Sequence, residues 1–600
     1  MAKSEPIENH GIVGDLNTIA LVALDGTVDF FCFPRFDSPS VFASLLDPER
    51  GGHFCINPEL EEVKRKQFYL PDSNILLTRV VSAQGVVEIS DFMPVEEAGS
   101  AHNLVRRVKS VRGDISVRVE CAPRFNYARS SHRCERQGND VLFVSEGPDS
   151  TVLRLHASVP VTVENGAAVA CFQLRANESA SFVLEDGTQE KGCDAHDYVS
   201  ESFKRTLDFW RRWIGHCQYQ GRWREAVRRS ALTLKLLVSQ PHGSLVAAPT
   251  FGLPEVIGGG RNWDYRYTWI RDASFTIYAL MRLGYTEEAG AFNRWIEARC
   301  HETAAGHPLQ IMYGIDGRHD LTEETLDHLS GYADSRPVRI GNAAYDQLQL
   351  DIHGELMDSI YLYDRWGEPI SHGLWKSLVP LVDWVAAHWG EPDAGIWETR
   401  GGAKQFLYSR LMCWVALDRG VRIARKRSFP APLAHWIKVR DHIYNDIYSQ
   451  FWDGKRQTFI QHPGSSAVDA ASLLMPLVKF IAPTDPQWLS TLKLIGERLV
   501  DDSLVHRYDG SEKPDDPEAA REGTFNMCTF WYAECLARGG DPLQGRYIFE
   551  KMLGYGNHLG LFAEQTGSTG EQLGNFPQAF THLGLISAAY ALDRALNENK

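Results

Sequence analysis

The chain lacks the usual metal and redox signatures: its histidines show no HExxH spacing and its 11 cysteines no CxxC pair. That argues against the common zinc and dithiol sites. No glycine loop for phosphate is evident either, because the GGG at 258–260 has neither GxGxxG nor GxxxxGK spacing and follows no clear strand. Apolar runs are too short, or too interrupted by charge, to span a bilayer. The opening MAKSEPIENHGIVGD has no apolar signal core. Positive charge is in deficit, with 62 Lys+Arg against 77 Asp+Glu and a net charge of −15. A nucleic-acid backbone is a poor partner for such a surface. These absences predict a cytoplasmic enzyme with free, mostly buried thiols, no membrane or nucleic-acid partner and no metal or organic cofactor. Self-association as a homo-oligomer is compatible with all of them.

Aromatics are plentiful, with 16 Trp and 21 Tyr. They suit large cores and sugar-stacking platforms alike. At 600 residues the chain is too long for one ordinary core, and it divides by period. From about 10 to 190 it reads as short β-branched strands, among them Thr18–Ala23, Val87–Ile89, Ser116–Val119, Val141–Val144 and Thr151–His156. Turns such as LDGT (24–27), RGD (112–114) and EDGT (185–188) separate strands. Strands without intervening helices predict an antiparallel β-sandwich over 1–196. Asp197–Trp213 reads as a helix within a linker, 197–221.

From 222 to 600 the period is helical. Twelve helices are predicted, at 222–240, 271–284, 286–302, 343–367, 371–389, 404–426, 432–448, 467–476, 486–500, 523–538, 541–553 and 577–596. Short connections follow the second, fourth, sixth, eighth and tenth. Those after the odd-numbered helices are mostly long and carry Trp, Tyr, Arg, Asp and Glu. Six hairpins with long loops at one end describe an (α/α)6 toroid whose even, more apolar helices line the inside. A site at the long-loop face follows.

Glycoside hydrolysis needs two carboxyl groups flanking one bond, roughly 6.5–9.5 Å apart in an inverting enzyme. The long loops offer Asp264, Asp272, Asp334, Asp393, Glu398, Glu522, Glu564 and Glu571. Glu398 follows Trp397 in GIWETRGG, and an indole neighbour can desolvate a carboxyl and keep it protonated. Glu564 and Glu571 share the polar, Gly-rich loop LFAEQTGSTGEQLG. The residues alone do not choose between them. NWDYRYTWIRD (262–272) packs four aromatics, two Arg and two Asp into a helix start, a composition that can stack on a sugar and hydrogen-bond its hydroxyls.

These segments resemble glycoside hydrolase family 15, which holds glucoamylases, glucodextranases and microbial trehalases. The likeness covers nearly the whole chain. IENHGIVGDLNTIALVALDGTVDFFCFPRFDSPSVFASLLD (7–47) is similar to the N-terminal β-domain of the trehalase-like branch. The resemblance implies Glu398 as general acid and selects Glu564 over Glu571 as general base. It implies substrate-binding roles for Tyr265, Trp269, Arg271, Asp272, Trp397, Arg507 (in HRY) and Glu522 (in REGTFNMCTFW). IRD stands where the fungal members have TRD, and no starch-binding module follows residue 600. A small soluble substrate is therefore expected. The implied reaction is inverting hydrolysis of an α-glucoside with release of β-D-glucose. Trehalose is the first expectation and maltooligosaccharides the second. A phosphorylase, which needs no base, and a non-catalytic glycan-binding protein are the competing readings.

Overall fold

The computed structural model describes residues 4–95, 102–188, 195–304, 309–398, 402–509, 518 and 521–598. Its first part, from His10 to Asp186, forms two eight-stranded sheets paired antiparallel throughout. Ile19–Ala23, Val86–Phe92, Ile115–Ala122, Asp140–Ser145 and Val152–Ala157 stand where the short β-branched runs predict strands. Gly26 and Gly113, with φ of 90° and 86°, supply the left-handed turns of LDGT and RGD. The inner faces share one apolar core. Within it the fully buried Arg106 ties the sheets together, meeting Asp91 at 2.7 Å on its own sheet and the carbonyls of Gly26 and Phe54 on the other side.

Helix Ala195–Gly215 leads out of the sandwich, and Trp213 near its end stacks on Tyr285 with ring centroids 4.0 Å apart. The helical part follows the twelve-helix pattern. Its inner members are Ile270–Leu283, Asp351–Trp366, Leu407–Arg427, the turn Ala470–Leu473 with the short Leu474–Leu477, Asn526–Arg538 and Ala579–Glu598, each packing on the next and the last on the first. This closed ring is the (α/α)6 toroid. Leu407–Arg427 shows why it is inner: most of its faces are buried, polar residues included. Arg224–Leu236, by contrast, is amphipathic and packs outside Ala579–Glu598.

Among the helices whose ends differ from the sequence expectation, three have a local cause. The eighth is a 3-10 turn, Ala470–Leu473, running into one α turn that contains Pro476, whose ring cannot continue a ladder. The fourth starts at Asp351, because Ala343–Asp346 is a separate 3-10 turn capped by Asn342. The tenth starts at Asn526, because Thr524–Phe525 is drawn into a ribbon with Gln565–Thr566. No helix among the described residues is long and apolar enough to cross a membrane. The described cysteines are free.

Candidate active site

Three segments from distant parts of the sequence meet at the mouth of the toroid. The first, 261–269, runs beside 247–252 in front of helix Ile270–Leu283. It is held by Gly252 N–H to Trp263 O, Ala248 N–H to Tyr265 O and Ala247 N–H to Tyr267 O, each at 3.0 Å. The second is the loop 393–398. Asp393 anchors its base by accepting from Leu350 N–H at 2.9 Å and from Ser409 Oγ at 2.7 Å. The third is the loop after Pro542–Leu553, which carries Glu564 into the ribbon Thr524–Phe525, Gln565–Thr566, Gln572–Leu573.

Tyr265 and Trp269 of the first segment reach the two glutamates. Tyr265 Oη donates to Glu564 Oε1 at 2.7 Å, and Trp269 Nε1 donates to Glu398 Oε1 at 2.8 Å. The two rings lie edge to face, 5.4 Å apart. One short stretch of chain thus bridges the two carboxyl groups. Glu564 is buried at 2 % exposure, and its Oε1 also accepts from Gln578 Nε2 at 3.1 Å. Its Oε2 has no hydrogen-bond partner among the described residues. Glu571 stands apart, its carboxylate closing its own turn through Thr569 N–H at 3.0 Å and Thr569 Oγ1 at 2.6 Å.

Glu398 adopts φ 52°, left-handed for a residue with a side chain. Such backbone costs on the order of 1 kcal/mol and is found where surrounding structure enforces it, often at functional sites. Its half-buried carboxyl lies 3.6 Å from Arg271 Nη1. Arg271 also donates to Asp272 Oδ1 at 3.1 Å and to Ile396 O at 3.0 Å, so it ties the helix start to the Glu398 loop.

Arg507 lies 4.6 Å from the Phe525 ring and 5.9 Å from that of Trp397, and donates to Glu255 Oε2 at 3.0 Å. Glu522, expected among the sugar-binding residues, has its carboxylate committed elsewhere. It pairs with Arg507 Nε and accepts from Arg261 Nη1 at 2.8 Å and Tyr508 Oη at 2.9 Å. It therefore braces Arg507. The indole N–H of Trp397 is likewise occupied by both oxygens of Asp469, at 2.9 and 3.0 Å. Sequence reasoning missed Glu255, Asp469 and Gln578. Glu255 lies in the same PEVIGGGRNWDYRYTWIRD loop as Tyr265, whereas the others had no local signal.

Burial is the largest influence on both glutamates and raises both pKa values. For Glu398 it is opposed by Arg271 and by the Trp269 hydrogen bond. For Glu564 the nearby Glu255 adds to burial, while the Tyr265 hydrogen bond and Arg507 pull the other way. The expected elevation of Glu398 is present. Glu564 is raised as well, so acidity alone does not divide the roles.

Two consequences can be measured here. Gly574, at φ +74°, is so close to Glu564 that an added Cβ would lie 2.7 Å from Oε2. Gly574→Ala is expected to displace that carboxyl; were the carboxyl catalytic, kcat would fall at least about tenfold, roughly what small misplacements of catalytic groups cost. Asp351 is fully buried, and neither of its oxygens has a hydrogen-bond partner among the described residues. Burial, then Asp393, push its pKa from 3.8 to about 7, against Arg271. A carboxyl raised on folding contributes stability that is complete below its unfolded pKa and lost as pH rises through its folded one. Asp351→Asn removes that loss. Its stability relative to the parent, read by urea unfolding, should rise by roughly 2 kcal/mol between pH 5 and pH 8; a difference independent of pH would refute this.

A model of glycosyl hydrolases family 15 matches residues 221–546, and one described as trehalase-like, N-terminal, matches 2–206. A trehalase of Mycolicibacterium smegmatis is 38 % identical, over 99 % of this chain and 92 % of its own. A trehalase of Thermoplasma volcanium is 35 % identical, over 98 % of this chain and 94 % of its own. Among solved structures, a bacterial glucoamylase complexed with acarbose aligns over 100 % of this chain and 96 % of its own. Its TM-score is 0.75 at 14 % identity, a likeness of fold.

Proposed function

The chain belongs to glycosyl hydrolase family 15, and we propose that this glycoside hydrolase cleaves trehalose with inversion, Glu398 acting as general acid and Glu564 as general base. The observation that carries the reading is the bridge between the two glutamates: Tyr265 on Glu564 and Trp269 on Glu398. Two carboxyls from different loops, oriented by one segment, suit a single displacement.

In this reaction Glu398 gives its proton to the glycosidic oxygen as the bond breaks. Glu564 takes a proton from the water attacking the anomeric carbon on the opposite face. Glu564 is built for that task, with Oε1 held by Tyr265 and Gln578 and Oε2 left to receive the proton. A phosphorylase would have no use for this arrangement. Arg271, Asp272 and Arg507 are assigned to the hydroxyls of the first glucose, and Trp397 to the wall beside it. Positioning of this kind aligns both proton transfers. The catalytic unit is taken as 222–600.

Trehalose is preferred to maltooligosaccharides because the relatives that match end to end are named trehalases and the N-terminal match is trehalase-like. A panel of trehalose, maltose, isomaltose and maltotriose tests this. Trehalose is expected to lead in kcat/KM by at least about tenfold, some 1.4 kcal/mol of transition-state discrimination; a lead for maltotriose would replace trehalase with glucoamylase.

Both raised carboxyls shape the pH profile. Turnover needs Glu564 ionised while Glu398 keeps its proton, so activity should be bell-shaped in pH, and with both carboxyls raised by burial both limbs should lie above 4.5.

A further inference from the structure

In the stretch 263–266 neighbouring side chains reach opposite ways. Tyr265 faces the carboxyl of Glu564, while Asp264 and Arg266 face away and are fully buried. Arg266 spends its donors on the β-sandwich. Its Nη1 donates to Ser38 O at 2.7 Å and to Cys32 Sγ at 3.4 Å, and its Nη2 to Tyr127 Oη at 3.2 Å. Asp264 neutralises it at 2.9 and 2.6 Å, and the guanidinium lies 4.4 Å from the Phe251 ring. An arginine this deep is tolerated only because its donors and its charge are all answered. The residues on either side of Arg266 are thereby fixed to the sandwich.

The sandwich also holds the other partner of that hydrogen bond. Asn557 Nδ2 donates to His10 O at 2.8 Å, and the His558 ring meets Gln67 Oε1 at 3.0 Å. Gln572 N–H donates to Glu8 Oε2 at 3.4 Å. The Gln572 side chain in turn accepts from Ala563 N–H, one residue before Glu564, at 3.0 Å. Tyr265 and Glu564 are 299 positions apart in sequence. Both lie on loops whose setting depends on what they are moored to.

We propose that the β-sandwich is a clamp that positions the general base, gripping the Tyr265 segment through Arg266 and the Glu564 loop through Asn557, His558 and Gln572. Arg266 is then a positioning residue that never touches sugar, and the sandwich completes the catalytic machinery. The inference rests on the reading of Glu564 as base.

A double-mutant cycle in the full-length protein tests it. Arg266→Lys keeps the charge but not the fork. It is expected to lower kcat about tenfold with KM changed less than about twofold, the signature of a group misplaced in the transition state. It should also move upward the limb of kcat/KM that reports Glu564, because the Tyr265 hydrogen bond and Arg507 hold down a carboxyl that burial, Glu255 and Glu522 push up. In a Tyr265→Phe background the same change should cost less than about twofold, since the bond it acts through is already gone. Losses that multiply in the double variant, or a change confined to KM, would overturn the clamp. Where Arg266→Lys does not fold, Tyr127→Phe is read in the same cycle with a smaller expected loss of about threefold. The base assignment has its own readout, the formation of β-glucosyl azide by Glu564→Ala supplied with azide. Rescue together with multiplying losses would retire the clamp alone, whereas coupling without rescue would retire Glu564 as base.

Discussion

Glu564→Gln is expected to lose at least about 10³-fold in kcat on trehalose, while its melting temperature stays near that of the parent. General-base catalysis contributes roughly 10²–10⁴. The amide is isosteric with the carboxyl, so the site keeps its shape. Removing a raised, buried carboxyl also removes a charge that burial and Glu255 disfavour. The variant should therefore be as stable as the parent, or more so, above pH 7. The loss should persist with α-D-glucosyl fluoride, because an attacking water still needs its proton removed whatever the leaving group. Activity on trehalose within tenfold of the parent would contradict the assignment.

Glu398→Gln is expected to show the complementary pattern. On trehalose it should lose about as much, because a sugar alkoxide leaves poorly without a proton. On α-D-glucosyl fluoride it should keep most of its rate, since fluoride departs with little protonation. The amide can still accept from Trp269 and still occupy the φ 52° loop position, so folding should be intact. Equal losses on both substrates would strip Glu398 of the acid role. The contrast between the two variants separates acid from base where the two raised pKa values do not.

Much of the architecture was legible in the sequence because it depends on periodicity. Inner helices are apolar on most faces and outer ones on a single stripe, and this difference marks the two rings of the toroid. Local chemistry that competes with a helix was harder to read. Phe525 looks like a helix start, yet its backbone pairs with Gln565 in the ribbon. Pro476 lies in an apolar run that reads as a longer helix than it permits.

The site was legible in composition and less so in role. NWDYRYTWIRD reads in composition as one sugar-binding cluster, yet its residues serve different ends. Tyr265, Trp269, Arg271 and Asp272 gather round the two glutamates, whereas Arg266 reaches the sandwich with Asp264 as its counter-charge. No sequence period divides them, because the chain bends at Tyr267, whose hydroxyl reaches Asp264 at 3.1 Å. Glu564 and Glu571 have similar loop contexts, and no sequence period separates them. What distinguishes them is tertiary: Tyr265 and Gln578 converge on one, and Thr569 on the other. Glu255 and Asp469 act by holding Arg507 and Trp397, contacts made across 252 and 72 positions of sequence.

Time-resolved proton NMR of the first turnovers is the sharpest test of an inverting pair at Glu398 and Glu564 acting on trehalose. Inversion at one anomeric centre leaves the other untouched, so each trehalose should give one β-glucose and one α-glucose before mutarotation blurs the ratio. In ¹⁸O-labelled water the label should enter the β-anomer alone. Release of α-glucose alone would mean retention, and with it a nucleophile where this account has a base.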